Sequence, residues 1–169
     1  DDSNVNVGTA MKFSSFNTYN PSLYYQQKLS GRWPMAMNAD WLSSDGDYPF
    51  TLVNGNLVTR EKRLNSDVNT IRGEANLYGD LGKGGSLSFK GNWLSSQRGL
   101  PGSVVLYNSD ARERLWDEAA FVQAHYRNAF GEKFQLQGQF KYNYAWNKYK
   151  DEKEYYPNGV KIDYYTQRE

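Results

Sequence analysis

The feature that most constrains this chain is the stretch from Phe134 to Lys148. Phe134, Leu136, Gly138, Phe140, Tyr142, Tyr144 and Trp146 stand at its even positions, and Gln135, Gln137, Gln139, Lys141, Asn143, Ala145 and Asn147 at its odd ones. Successive side chains of a strand point to opposite faces, so the segment has one apolar and one polar face. A strand usually runs about five or six residues, and this alternation continues well beyond that. Its length, its two faces and its aromatic end suit a membrane barrel wall, where about 9–11 tilted residues cross the hydrocarbon.

The same period recurs along the chain. Trp33, Met35, Met37, Ala39 and Trp41 share one face of a third strand, opposite Asn38 and Asp40. Ile71, Gly73, Ala75, Leu77 and Gly79 oppose Thr70, Arg72, Glu74, Asn76 and Asp80. Leu87, Phe89 and Trp93 oppose Ser88, Lys90 and Asn92, and Ala120, Val122, Ala124 and Tyr126 oppose Gln123, His125 and Arg127. The pattern predicts an all-β fold: an antiparallel up-and-down meander of about eight long strands, part of an outer-membrane β-barrel. The strands fall at roughly 9–16, 19–29, 32–42, 67–80, 86–96, 116–130, 133–148 and 160–169, within a single partial barrel domain over 1–169.

The connections agree. Ser30-Gly31, Gly82-Lys-Gly-Gly85 and Gly131-Glu132 read as tight hairpin turns. Between them lie long polar connections, Ser43 to Ser66, Gln97 to Leu115 and Lys150 to Gly159. All the long connections then lie at one end of the sheet, as in outer-membrane barrels with short periplasmic turns and longer extracellular loops. Trp41, Trp93, Tyr144 and Trp146 lie at the long-loop ends of their strands, while Trp33, Phe130 and Phe134 flank short turns. Two belts of amphipathic rings at headgroup depth account for that distribution. A water-soluble β-sandwich is the rival reading, disfavoured by the strand length.

Composition narrows the function classes. With 20 basic and 19 acidic residues the net charge is +1, and there is no basic stripe to bind nucleic acid. A mean hydropathy of −0.85 and the lack of an apolar run near twenty residues exclude a membrane-crossing helix. A membrane barrel is compatible with both, because half of each strand faces water. The sequence has no cysteine, which removes disulfides, thiol catalysis and zinc–thiolate sites. No phosphate loop or nucleophile elbow occurs, and His125 has no partner at metal-ligand spacing.

Three loop segments sharpen the class: Ser43-Ser-Asp-Gly-Asp-Tyr-Pro-Phe50, Arg98-Gly-Leu-Pro-Gly102 and Ala111-Arg-Glu-Arg-Leu-Trp-Asp117. They resemble the early barrel of TonB-dependent outer-membrane receptors, in the cobalamin-receptor-like branch. The run from Arg98 through Trp116 is the more specific part, and the likeness extends from about Val7 to Glu169. The resemblance implies consecutive strands near the start of a barrel of about 22 strands with a plugged lumen. The family's plug domain and TonB-contacting segment have no counterpart here, and neither does its aromatic final strand. The expectation is a fragment, about a third of a barrel wall.

Candidate ligand-binding residues are Asp45, Asp47, Tyr48, Arg98, Tyr107 and Trp116, with Arg112 and Arg114 beside them. A charged and aromatic loop set can grip an anionic or planar ligand such as a ferric chelate or a corrin. Asp45 and Asp47, near Asp40 and Glu61, are candidate calcium ligands, since calcium takes several carboxylate and carbonyl oxygens. In the resembled family, carboxylates of matching loops hold calcium, although the spacing here does not reproduce that pattern clearly. Asp-Gly-Asp is also ordinary turn chemistry.

The function expected is that of a receptor in the bacterial outer membrane, with no catalytic residues. It would take part in uptake of a scarce nutrient, a corrinoid or metal chelate, and reach TonB only through the missing plug. Its other partner is outer-membrane lipid. The alternative is a small self-contained β-barrel or an adhesin-like surface binding protein. A membrane hydrolase would require a Ser–His pair that the sequence does not place.

Overall fold

A computed structural model describes residues 5–104, 111–151 and 164–168. Eight strands form one antiparallel sheet: β1 (Val5–Ser14), β2 (Thr18–Lys28), β3 (Pro34–Ser44), β6 (Val68–Gly82), β7 (Gly85–Leu100), β8 (Glu113–Phe130), β9 (Phe134–Lys150) and β10 (Tyr164–Arg168). Their order in space follows the chain, with β1 and β10 at the two edges. The all-β antiparallel meander expected from the alternation is therefore the observed fold. The remaining strands, β4 (Pro49–Asn54) and β5 (Leu57–Lys62), pair only with each other.

This hairpin corrects the reading of 43–66 as one irregular polar connection. Asn54 pairs with Leu57, leaving a two-residue loop, Gly55-Asn56. Gly55 adopts a φ of 59°, which hairpin turns require and glycine meets without a Cβ penalty. The strands of the main sheet also run further than expected. β7 continues through Arg98 to Leu100, so Arg98 belongs to a strand, and β8 begins at Glu113, three residues before the expected start at Trp116. Residues 152–163, including the start of the expected last strand, lie outside the described residues.

The register carries each face across the sheet. Val7, Tyr25, Met37, Ala75, Gly91, Val122 and Tyr142 form one continuous row. The next row towards the tight turns joins Gln27, Met35, Leu77, Phe89, Ala124 and Phe140. The opposite face carries Gln26, Ala36, Asn76, Lys90, Gln123 and Lys141. Ion pairs brace it: Arg72 with Asp40 at 3.0 Å and Lys90 with Glu74 at 3.4 Å. Arg127 faces the Gln135 amide on the same side, and His125 lies 3.0 Å from the Gln137 amide.

Among the described residues no apolar side chain is buried. Phe13 is 69% exposed and Phe140 61%, and Tyr142 and Phe134 are close behind. A sheet with one apolar face normally buries it against a second layer. Here the sheet is held by its hydrogen-bond ladder and cross-strand pairs, and among the described residues no second layer covers its apolar face.

Candidate functional site

The tight turns at 29–33, 82–85 and 131–133 lie at one end of the sheet, and the long connections at the other. At the long-connection end, contacts between residues distant in sequence gather around the β4–β5 hairpin. One anchor fixes it to the β1–β2 turn. Phe16 and Asn17 both have positive φ, 62° and 51°, which is costly for a bulky residue such as Phe16. The surrounding contacts hold that turn. The Asp45 amide donates to the Phe16 carbonyl at 3.0 Å, and the Ser44 hydroxyl donates to it at 3.2 Å. Asn17 Nδ2 donates to Asp45 Oδ2 at 2.7 Å. The Tyr48 ring meets Phe16 edge-on at 6.2 Å and Phe50 at 6.4 Å.

A second anchor fixes the hairpin's other end to β7 and β8. Asn65 has a φ of 53°, a conformation that asparagine tolerates better than most residues. Its Nδ2 donates to the carbonyls of Leu100 at 2.8 Å and Glu113 at 2.7 Å. The Gly99 amide donates to Asp67 at 2.9 Å. A Cβ at Gly99 would run into the Asn65 carbonyl, so only glycine lets the two backbones approach. Arg114 forms a two-point pair with Asp67, Nη1 to Oδ1 at 2.7 Å and Nη2 to Oδ2 at 2.8 Å. Planar two-point pairing of this kind fixes orientation as well as distance. Arg63 Nη2 donates to the Gly102 carbonyl at 2.5 Å.

The residues singled out from sequence therefore fall into different places. Asp45 and Tyr48 belong to the first anchor. Asp47 pairs with Lys62 at 3.0 Å across the base of the hairpin. Arg98 lies on the polar face and pairs with Asp117 at 2.9 Å. Trp116 lies on the apolar face, with Lys148 Nζ 5.3 Å from its ring centre. Arg98 and Trp116 thus cannot grip one ligand together. Tyr107 lies outside the described residues. Arg114, beside which the sequence reading placed these candidates, forms the second anchor with Asn65 and Asp67, and Asn17 holds the first; that reading passed over Asn17, Asn65 and Asp67. The local signal for Asn65 and Asp67 was slight: an Asn-Ser-Asp run before β6, of the type that caps a turn.

The donor set does not fit calcium. Asp45 is engaged by Asn17 and Asp47 by Lys62, and among the described residues no three acidic or histidine side chains converge to hold a metal ion. The arrangement presents a rigidly seated hairpin whose tip exposes Val53, Val58 and Leu57. Such an element can offer a contact surface, and nothing in its geometry supplies a nucleophile with a base. No family model matches the sequence, and no curated protein matches it at a significant level.

Proposed function

We propose that this chain is a wall segment of a β-barrel in the bacterial outer membrane, belonging to a receptor of the TonB-dependent type. The single observation that carries the membrane part is the uncovered apolar face. On β9 that face runs unbroken from Phe134 to Trp146, about 40 Å at about 3.4 Å per residue. A tilt of about 45° reduces this to roughly 29 Å, near the thickness of the hydrocarbon core. Aromatic rings bracket the strip: Phe130 and Phe134, 5.9 Å apart, at the tight-turn end, and Tyr144, Trp146 and Trp41 at the other. The Trp41 indole donates to the Asn69 amide oxygen at 2.9 Å, a polar contact suited to an interface. Left in water, each such aromatic would forgo about 1.5–3 kcal/mol of burial.

The receptor part rests on the likeness of the 43–50, 98–102 and 111–117 segments to that family. In this reading the long connections are extracellular, the hairpin and its anchors form part of the capture surface, and the polar face looks into the lumen. The protein would bind a corrinoid or metal chelate and pass it inward without altering it chemically. The seated β4–β5 hairpin supports this, since binding residues concentrate on loops that a rigid scaffold positions.

The test is removal of residues 49–62 from the intact receptor in whole cells. Nutrient binding, followed with radiolabelled cobalamin and with ferric siderophores, should fall while the protein still reaches the outer membrane. Unchanged binding and uptake of every nutrient would sink the capture reading. A retained ability to adhere to host matrix would favour an adhesin.

A further inference from the structure

The cations of the polar face are not all treated alike. Arg72 meets Asp40, Lys90 meets Glu74 and Arg98 meets Asp117, each within 3.4 Å. Arg127, on the same face towards the tight turns, has no carboxylate within ion-pair distance among the described residues. Its partner is neutral. With the Gln135 amide oxygen turned towards it, that single oxygen takes Nε at 2.5 Å and Nη2 at 3.0 Å. A guanidinium fork matches the two oxygens of a carboxylate or phosphate, so one amide oxygen leaves it half used. Lys141, the neighbouring cation on β9, is turned away over the Phe121 ring.

Around Arg127 the register gathers donors from three strands. On β7 Ser86 pairs with Arg127 and Ser88 with His125, and on β9 Gln137 and Gln139 stand opposite the same two residues. Directly paired residues share a face, and strands lie about 4.8 Å apart, so the patch is about 10 Å wide. Gln137 Nε2 lies 3.0 Å from His125 Nε2. An amide nitrogen only donates, which makes that ring nitrogen the acceptor and puts the imidazole proton on Nδ1. Among the described residues neither Nδ1 nor the Ser86 and Ser88 hydroxyls have a hydrogen-bond partner. The acidic groups nearby are engaged or set apart. Asp80, one strand beyond Ser86, accepts from the Gly82 amide at 2.7 Å, and Glu74 holds Lys90. Glu132 stands in the turn after β8, beside Lys133. Residues 105–110 and 152–163 join strands at the other end of the sheet, and residues 1–4 precede β1, five strands from β8.

We propose that Arg127, His125 and the Ser86 and Ser88 hydroxyls bind a phosphate group, free or carried by a small monoester. A planar carboxylate would fill the Arg127 fork and leave the other donors without use. A tetrahedral dianion gives two oxygens to the fork, once Gln135 yields it, and has others for Nδ1–H and the hydroxyls of β7. The site goes beyond nutrient capture, since it lies at the tight-turn end of the sheet, away from the β4–β5 hairpin. It belongs to the polar face and does not depend on lipid covering the apolar one.

The probe is inorganic phosphate, titrated calorimetrically into the full chain in a neutral maltoside detergent, with circular dichroism reporting strand content. Saturable binding should weaken at least about tenfold in Arg127→Ala, the loss expected when charge-assisted hydrogen bonds are removed. Gln135→Glu gives Arg127 an internal carboxylate and should weaken phosphate binding about as much while the sheet stays folded, so it decides the matter even where Arg127→Ala loses strand content. Gln26→Glu, the same change of charge on β2 of the same face, should leave phosphate affinity unchanged. Tighter binding of glycerol 3-phosphate than of phosphate would assign the site to a monoester, and equal binding to the free anion. Absence of saturable phosphate binding by the unaltered chain would overturn the proposal. So would acetate binding as tightly as phosphate, or undiminished phosphate binding by Gln135→Glu.

Discussion

Replacing Phe140 by Arg distinguishes a membrane wall from a sheet in water. Phe140 stands midway between Phe134 and Trp146 on the apolar strip of β9 and pairs in register with Ala124. Each aromatic end is then about 20 Å away along the strand, or roughly 14 Å in depth once the strand tilts by about 45°. That depth is near the midplane, where an arginine on the lipid side of a barrel costs about 2–4 kcal/mol, against about 0–1 near the interfaces. Its own row offers the guanidinium Ala124 and, one strand further, Phe89, neither of them polar. In water the same substitution would fall at a site already 61% exposed, where surface changes stay within about 0.5 kcal/mol. Gln139, on the opposite face and in register with His125, supplies the control: Gln139→Arg should cost little in either setting. The assay is reversible denaturant unfolding of the vesicle-embedded protein, followed by tryptophan fluorescence. A difference between the two variants of less than about 1 kcal/mol would refute the placement of β9 in hydrocarbon.

The remaining predictions concern facing and the anchors of the hairpin. Spin labels at Phe140 and Lys141 in the vesicle-embedded protein should show, respectively, access to lipid-soluble and to water-soluble relaxing agents, and equal access would contradict the two-faced wall. Arg114→Ala should cost about 1–2 kcal/mol of local stability, since it breaks a two-point pair whose Asp67 side is still 39% exposed; hydrogen exchange of the 49–62 amides should accelerate while that of β8 and β9 does not. Asn65→Ala should loosen the same segment more than Asn65→Gly, because both lose the bonds to Leu100 and Glu113 but only alanine also opposes the positive φ. Lys62→Ala should change stability by less than about 1 kcal/mol, as its pair with Asp47 is largely exposed, and thermal unfolding would show it.

Much of the wall could be read from the chain alone. Strand parity is a local property: a residue's face follows from counting along its own strand, and a one-residue slip would reverse every side chain. So Ile71, Ala75, Leu77, Phe140, Tyr142 and Tyr144 were assignable to one face before any partner strand was known, and the register places them together. The tight turns were equally legible, because Gly82, Gly84 and Gly131 stand where the backbone turns to positive φ. The Gly55-Asn56 turn carried a comparable signal, with Leu52-Val53 before it and Leu57-Val58 after it. Surrounding polar residues conceal it when the stretch is taken as one connection.

The site was a different matter. Arg98 and Trp116 look like neighbours in a charged, aromatic loop, yet the ladder between β7 and β8 sends them to opposite faces. Asp45 and Asp47 look like a metal pair, yet one is taken by Asn17, 28 residues away, and the other by Lys62, 15 residues away. Asn65 finds its acceptors 35 and 48 residues further along the chain. Sequence determined which residues lie on which face, because that depends on the backbone's two-residue period. Only the tertiary structure decided which charges meet and where the hairpin sits, because those contacts close loops whose partners no local pattern specifies.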